Sequence, residues 1–347
     1  MISEGFSGMI LHAVPKRKDA GFRVPGLQTM HFWVCSEMGY RFKIRKTVLC
    51  GFLAACVLLS CMPYAHAEGE TAPLIDAEEL QSRADAYFSQ MGILPELVSV
   101  GYVYTPTGEC WYHNADKWYY SASLYKVPLM MLLAEREAAG ELTQESLLYS
   151  WPLSLVEEEV LTNSNNDIAY SVMLSIAEPF ACRSMFQRYS AIPEEEYPWE
   201  FASYSYFSAR FMTDVMKTLF SEPERFPHVA DCLKQAQPGH YFHLVLGDDV
   251  PIAQKYGYYH DDEDGSDWTH TAGIFYTPNP FILTVMTRYG GMGESIIGDL
   301  GALFFEYTGE LDKRLEQREE KAAEPASQTA APAEELQPGI PEHGRNR

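Results

Sequence analysis

Between Ser123 and the helix-terminating Gly140, the residues Leu124, Val127, Leu129, Met130, Met131, Leu132 and Leu133 cover nearly every face of a helix. A helix that is apolar all round does not sit on a surface, so the rest of the chain has to be built around it. Pro128 falls within its first turns, where a missing N–H is tolerated or bends the helix start. Two polar residues, Ser123 and Lys126, open the segment three positions apart, which puts the hydroxyl and the amine on one face. Burial drives a lysine toward its neutral form, and a neutral amine can take the proton of a serine that is otherwise a weak nucleophile. The pair alone carries little weight, because about one Ser-x-x-Lys is expected by chance in a chain of this length.

The flanking sequence supplies elements to enclose that helix. Leu74, Ile75, Leu80, Ala84, Tyr87 and Phe88 fit an amphipathic helix ending near Gly92. Leu97–Tyr104 and Glu109–Asn114 read as a hairpin around Thr105-Pro106-Thr107-Gly108. Residues 142–235 are mostly helical in pattern, with helices predicted at 165–178, 180–190 and 207–221. Strand patterns return at Val250–Tyr259, Ala272–Tyr276 and Phe281–Arg288, and Glu294–Leu311 closes the series as an amphipathic helix. Beyond about Arg314 the chain is rich in Glu, Ala, Pro and Gln with little to bury, which predicts a disordered tail. The order predicts an α+β fold (α/β sandwich). In it, an antiparallel sheet of about five strands is flanked by the N- and C-terminal helices, with an inserted all-helical domain. The expected boundaries are an upstream extension and secretory signal (1–67), a sheet domain in two segments (68–127 and 236–313), a helical domain (128–235) and the tail (314–347).

Two further triplets follow in order. Ser164-Asn165-Asn166 opens a predicted helix, and Lys255-Tyr256-Gly257 lies within a predicted strand. With Ser123 and Lys126 they resemble the S-x-x-K, S-x-N and K-[TS]-G signatures of the serine β-lactamase and penicillin-binding-protein superfamily, especially its class A-like branch. The resemblance spans about residues 72–312. It extends to Tyr120–Pro128, which looks like the family's nucleophile helix, and to His270–Tyr276, which resembles the strand after K-[TS]-G.

This resemblance implies a β-lactamase/transpeptidase-like fold and an acyl-enzyme at Ser123. Lys126, neutral through burial and a nearby cation, would be the base, and Ser164 would relay a proton toward the leaving nitrogen. Asn166 would orient the lysine or a substrate amide. Lys255, Tyr256 and Gly257 would bind substrate, the lysine by attracting a carboxylate such as that of a penicillin or a peptide C-terminus. The backbone N–H groups of Ser123 and Tyr258 would form the oxyanion hole. No metal and no cofactor is implied. The competing readings are helix capping for Ser164 and Asn166, a snorkelling surface lysine for Lys126 and a solvated edge-strand charge for Lys255.

The sequence also departs from the family pattern. Tyr256 stands where the family has Thr or Ser, so a hydroxyl that normally meets the substrate carboxylate is displaced or missing. The interval from Ser123 to Ser164 is shorter than in typical class A enzymes, implying a trimmed helical domain. The Glu-x-x-Leu-Asn segment that supplies the class A deacylating carboxylate is not found. Ile192–Glu200 offers four glutamates instead, among which Glu196 and Glu200 are candidates; a solvated acidic loop is the competing reading. Without such a base the acyl-enzyme should persist. The expected function is an exported serine acyl hydrolase acting on β-lactams or related cell-wall amides. The alternatives are a D,D-peptidase or esterase-like enzyme on peptidoglycan peptides, or a catalytically degenerate protein that binds peptidoglycan or a partner.

Upstream, Arg41, Lys43, Arg45 and Lys46 precede an apolar run from Val48 to Leu59, then Ala65-His66-Ala67, the layout of a secretory signal. Met38 is a candidate start. The alternative to cleavage after Ala67 is a lipid anchor at Cys61, and both readings place the protein outside the cytoplasm. Downstream of residue 67 only Cys110, Cys182 and Cys232 remain, so at most one disulfide is expected. The chain has 26 Lys and Arg against 48 Asp and Glu, and the part after residue 67 carries a formal charge of −27. Such a surface repels nucleic acid and anionic lipid headgroups. The expected partner is a small-molecule β-lactam or cell-wall peptide substrate, met by a monomer. Asp261–Asp267 resembles a calcium loop, but His260 and Thr271 would hold its first and last ligand positions, so it reads as an exposed acidic hairpin.

Overall fold

The computed structural model describes residues 72–323. The expected signal at 1–67, the anchor at Cys61 and the tail from 324 onward lie outside the described residues. Asp76 caps the first helix, its Oδ1 accepting from the N–H groups of Glu78 and Glu79 at 3.1 and 3.0 Å. This helix, α1 (Ala77–Met91), ends at Gly92, whose φ of 66° is the left-handed conformation a glycine adopts without a Cβ penalty.

The predicted hairpin forms from β1 (Val98–Tyr104) and β2 (Glu109–His113). The late strands are β3 (Ile252–His260), β4 (Asp267–Phe275) and β5 (Phe281–Thr287). Together they make one antiparallel sheet in the order β2-β1-β5-β4-β3. β1 pairs with β5 from Val98↔Thr287 to Tyr104↔Phe281, so the two ends of the chain meet in the middle of the sheet. β4 starts at Asp267 rather than Ala272, because the acidic hairpin closes tightly enough for Asp267 to pair with His260.

Alternation along the strands divides the core in two, as a two-residue side-chain period requires. Val100, Tyr102, Leu283 and Val285 face the cluster formed with Leu80, Phe88, Ile297 and Phe304 of the terminal helices. Val103, Ile274, Ile282 and Met286 face the other cluster, which holds the apolar helix. That helix begins as a 3₁₀ turn (Ala122–Tyr125) and continues as α2 (Lys126–Ala138), with Leu129, Met130, Met131 and Leu133 fully buried. The helical part also contains α3 (Asn166–Ile176) and α4 (Ala209–Ser221). The helix predicted at 180–190 divides into an α-helix over Pro179–Ser184 and a 3₁₀ stretch over Met185–Tyr189. Two short strand pairs accompany these helices, Leu147–Leu148 with Trp151–Pro152 and Trp118–Tyr120 with Tyr206–Ser208.

The closing helix α5 (Gly291–Ala323) overruns its predicted end at Leu311 and continues into the stretch expected to be a disordered tail from 314. Leu311 and, in part, Leu315 pack on the core, and polar contacts of the arginines add to this hold. Arg314 Nη2 lies 2.9 Å from Glu79 Oε2, Arg83 bridges Glu79 and Glu310, and Arg318 donates to the Pro73 carbonyl at 3.0 Å. Among the described residues Cys110, Cys182 and Cys232 form no disulfide. Among the described residues no helix is long and apolar enough to cross a membrane.

α4 lies against β1 at Gly101, where an added Cβ would collide with Thr213 Oγ1. Gly101→Ala should therefore cost about 1–3 kcal/mol, as overpacking of a close-packed interior does. Urea unfolding checks this, and adding Thr213→Ala should recover most of the loss.

Candidate active site

Lys126 is fully buried, and its amine makes four polar contacts. Nζ lies 2.6 Å from the Ser164 carbonyl and 2.6 Å from Asn166 Oδ1, both obligatory acceptors. It lies 3.0 Å from Ser123 Oγ and 3.0 Å from Ser164 Oγ. A neutral amine has two N–H donors and one lone pair. The two carbonyl-type acceptors take the donors, which leaves the lone pair for a serine hydroxyl. Burial lowers the Lys126 pKa to about 8, so this neutral form is accessible near neutral pH. Of the two expected causes, burial and a neighbouring cation, burial is the one that lowers it.

The second triplet is held by a locally unusual chain path. A π-helical turn over Glu158–Thr162 precedes it, and the Asn165 N–H donates back to the Glu159 carbonyl at 2.7 Å. Asn165 is the residue that caps α3, accepting from the N–H groups of Asp167 and Ile168 at 3.1 Å each. Ser164 and Asn166 are thereby free of capping and turn toward Lys126. Ser164 holds a φ of 58°, and Ala122, next to Ser123, holds 47°. Left-handed non-glycine residues cost energy and concentrate where geometry serves function.

The nucleophile turn is fixed on three sides. The Ser121 N–H donates to the Ser205 carbonyl at 2.9 Å, and the two serine hydroxyls lie 2.9 Å apart. His270 Nε2 donates to the Tyr120 carbonyl at 2.9 Å, while its Nδ1 accepts from the Thr287 N–H at 3.1 Å. Those two partners fix the tautomer with the proton on Nε2. The third side is Gly257 of β3, where an added Cβ would stand 2.8 Å from the Ser123 nitrogen. The glycine of the third triplet is required because the strand backbone presses directly on the nucleophile.

Lys255 is also fully buried, and among the described residues its Nζ has no hydrogen-bond partner; it sits 3.9 Å from the centroid of the Tyr256 ring. Desolvation, and then the charge of Lys126, hold its pKa well below the usual lysine range. It is not a solvated edge charge. The Tyr256 hydroxyl accepts from Gln237 Nε2 at 3.0 Å and its ring stacks on Tyr241. The hydroxyl is thus directed away, as the substitution for Thr or Ser led one to expect. Tyr258 is 55% exposed.

The glutamates fall elsewhere. Glu196 lies in a short 3₁₀ turn and Glu200 in the helix Trp199–Tyr204, and both are exposed. Neither is a hydrogen-bond partner of Ser123 or Lys126. Ser121, Ser205 and the role of His270 escaped the sequence reading, since their partners are remote along the chain. A buried polar run in an apolar setting was the one available signal.

The sequence pattern of the beta-lactamase enzyme family matches residues 79–175 and 185–308, which includes all three triplets. The chain belongs to the beta-lactamase enzyme family. Solved structures of similar fold include a beta-lactamase from Chitinophaga pinensis (16% identity, TM-score 0.54), covering 66% of this chain and 99% of that one. The TLA-3 extended-spectrum beta-lactamase shares 14% identity at a TM-score of 0.57, over 67% of this chain and 98% of its own. An ancestral class A beta-lactamase shares 16% at 0.53, over 66% and 99% respectively. At these identities the likeness is one of fold. No curated protein sequence matches the chain. Within this family fold, Ser123, Lys126, Ser164 and Asn166 converge on one amine, and Gly257 and Lys255 line up along β3 beside it.

His270 gives a test of this framework. Burial lowers its pKa to about 4, against about 6.5 in an unfolded chain. The unfolded state then binds more protons between those values, so stability rises with pH there. The contribution of a neutral His270 is complete above about pH 6.5 and is lost as pH falls through about 4. Thermal melts from pH 7 to 5 should show a shallower decline for His270→Gln, whose amide can still donate to the Tyr120 carbonyl. An unchanged slope would contradict the assignment.

Proposed function

We propose that this chain is a serine acyl-transfer enzyme that forms an acyl-enzyme at Ser123 with β-lactams or related cell-wall amides and releases the acyl group slowly. The buried Lys126 amine, 3.0 Å from Ser123 Oγ, carries this reading. Ser123 Oγ attacks the carbonyl carbon as its proton passes to Lys126, forming the C–O bond. The oxyanion is held by the N–H groups of Ser123 and Tyr258. Collapse breaks the C–N bond, and a proton from the Lys126 ammonium reaches the leaving nitrogen through the Ser164 hydroxyl. Asn166 keeps the lysine in place.

Lys255 receives the substrate carboxylate. An unpartnered buried ammonium is costly, so in the free enzyme it favours the neutral form, and an arriving carboxylate restores its charge. Slow release follows from the partners of Lys126, none of which is a carboxylate. Glu196 and Glu200 would have to move from solvent to activate water. The basic-apolar-small pattern at 38–67 supports export, with cleavage after Ala67 or lipidation at Cys61, to where cell-wall amides occur.

Incubation with a fluorescent penicillin should label the purified chain at Ser123, with label retained for many minutes. Ser123→Ala should abolish labelling, and Lys126→Ala should slow it by about 10²–10⁴-fold, the usual contribution of a positioned base. Label surviving Ser123→Ala overturns the nucleophile, and an unlabelled wild type overturns β-lactam recognition. The acylation rate should rise about tenfold per pH unit below about 8 and level off above it, because the neutral fraction of Lys126 sets the rate. A flat profile from pH 6 to 9 would remove Lys126 as the base.

A further inference from the structure

β3 runs past the nucleophile and continues into a pocket. Lys255, Gly257 and Tyr259 are two residues apart in turn and share one face of the strand. Lys255 lies at the buried end and Gly257 against Ser123. The Tyr259 ring meets Tyr120, three residues before the nucleophile, at 4.7 Å between centroids. Beyond them a pocket of about 350 Å³ opens, walled by Tyr120, Tyr206, Tyr259 and Trp268 and edged by Asp261 and Asp264. Tyr120 and Tyr206 meet edge-on at 6.1 Å, and Tyr206 and Trp268 meet edge-on at 6.4 Å, so ring faces remain to line the cavity.

The lining is rich in groups that favour a cation, with Arg288 a resident positive charge and Asp264 close enough to answer it. Aromatic faces attract cations through their quadrupoles, most strongly when water is excluded. Burial raises the pKa of Tyr120 and Tyr206, which keeps both phenols neutral. Hydrogen bonding by Ser266, first from its hydroxyl and then from its N–H at 2.7 Å, holds the Asp264 carboxyl below the usual range, so it stays ionised. The molecule already uses one of these rings in this way. The Arg288 guanidinium lies 4.7 Å from the Trp268 ring centroid and is anchored to Ser266 Oγ at 2.9 Å.

We propose that this pocket is a subsite for a cationic group on the acyl portion of the substrate, so that the enzyme selects amides with a carboxylate at the leaving end and an ammonium or guanidinium at the other. This rests on the acyl-transfer reading above. The carboxylate goes to Lys255. The cation goes toward Tyr259 and Asp261, roughly 13 Å or more along β3 from Lys255, with the reacting carbonyl between them at Ser123. A cell-wall peptide bearing a free amino group on a side chain has this charge pattern; a neutral acyl chain lacks half of it.

Two measurements test the subsite. In the full chain carrying Ser123→Ala, choline should quench Trp268 fluorescence saturably, while its uncharged isostere 3,3-dimethylbutanol should not. Trp268→Phe should remove that signal, and Asp261→Asn with Asp264→Asn should weaken choline binding several-fold. Equal responses to both compounds, or choline binding indifferent to the two aspartates, overturns the proposal. In the unsubstituted chain, N-acylglycine thioglycolates sharing one carboxylate leaving group should acylate Ser123 in the order 6-aminohexanoyl, hexanoyl, adipoyl. The first should exceed the second by about tenfold, the scale of a desolvated cation–π contact. Acylation without that preference sinks the subsite and leaves acyl transfer standing. Selective choline binding with no acylation by any ester sinks acyl transfer and leaves the pocket's chemistry standing.

Discussion

The burial of Lys126 inside an apolar helix is the constraint to which the rest of the site answers. An amine taken out of water needs partners, and a carboxylate there would hold it charged and useless as a base. The chain supplies neutral oxygens instead, the Ser164 carbonyl and Asn166 Oδ1, each at 2.6 Å. To place them, the segment before α3 passes through a π-helical turn and a left-handed serine, with Asn165 taking over the cap. Local irregularity in one part of the fold is thus the counterpart of a buried amine in another.

The nucleophile turn joins pieces of chain that are distant in sequence. Ser121 is bound to Ser205, Tyr120 to His270, and the Ser123 nitrogen lies against Gly257. Each contact comes from a different element, and each depends on a small or neutral group: a hydroxyl, an uncharged imidazole, a missing side chain. A left-handed Ala122 persists because these contacts over-determine the backbone around it.

Much of this was legible in the sequence. About five strands in a sheet built from both ends of the chain were legible, as were the triplets from their spacing on predicted elements, whereas the order of the strands across the sheet was not. Gly257 was legible as a motif member, but its reason is a tertiary contact. What escaped depended on partners far along the chain. The Tyr256 hydroxyl goes to Gln237, His270 spans Tyr120 and Thr287, and Arg314 and Arg318 extend α5 by reaching Glu79 and Pro73. Composition suggested no reason for a helix beyond Arg314, because charge pairing with a remote helix leaves no apolar periodicity. The glutamates Glu196 and Glu200 are solvated, as an acidic stretch suggests, but they sit on a 3₁₀ turn and a short helix and not in a loop.

β3 is the last strand of its sheet, and an outer strand ordinarily offers its free N–H and C=O groups to any extended chain that drifts past. Here the turn carrying Ser123 packs on the face of that strand at Gly257, closely enough that not even a methyl group fits between them. A side chain projects from the face of a sheet, whereas the free N–H and C=O groups lie in its plane. The contact that seats the reacting serine therefore does not use up the hydrogen-bonding groups of the strand it rests on. A bulkier residue at position 257 would push the nucleophile turn away and disturb the chemistry without changing those groups.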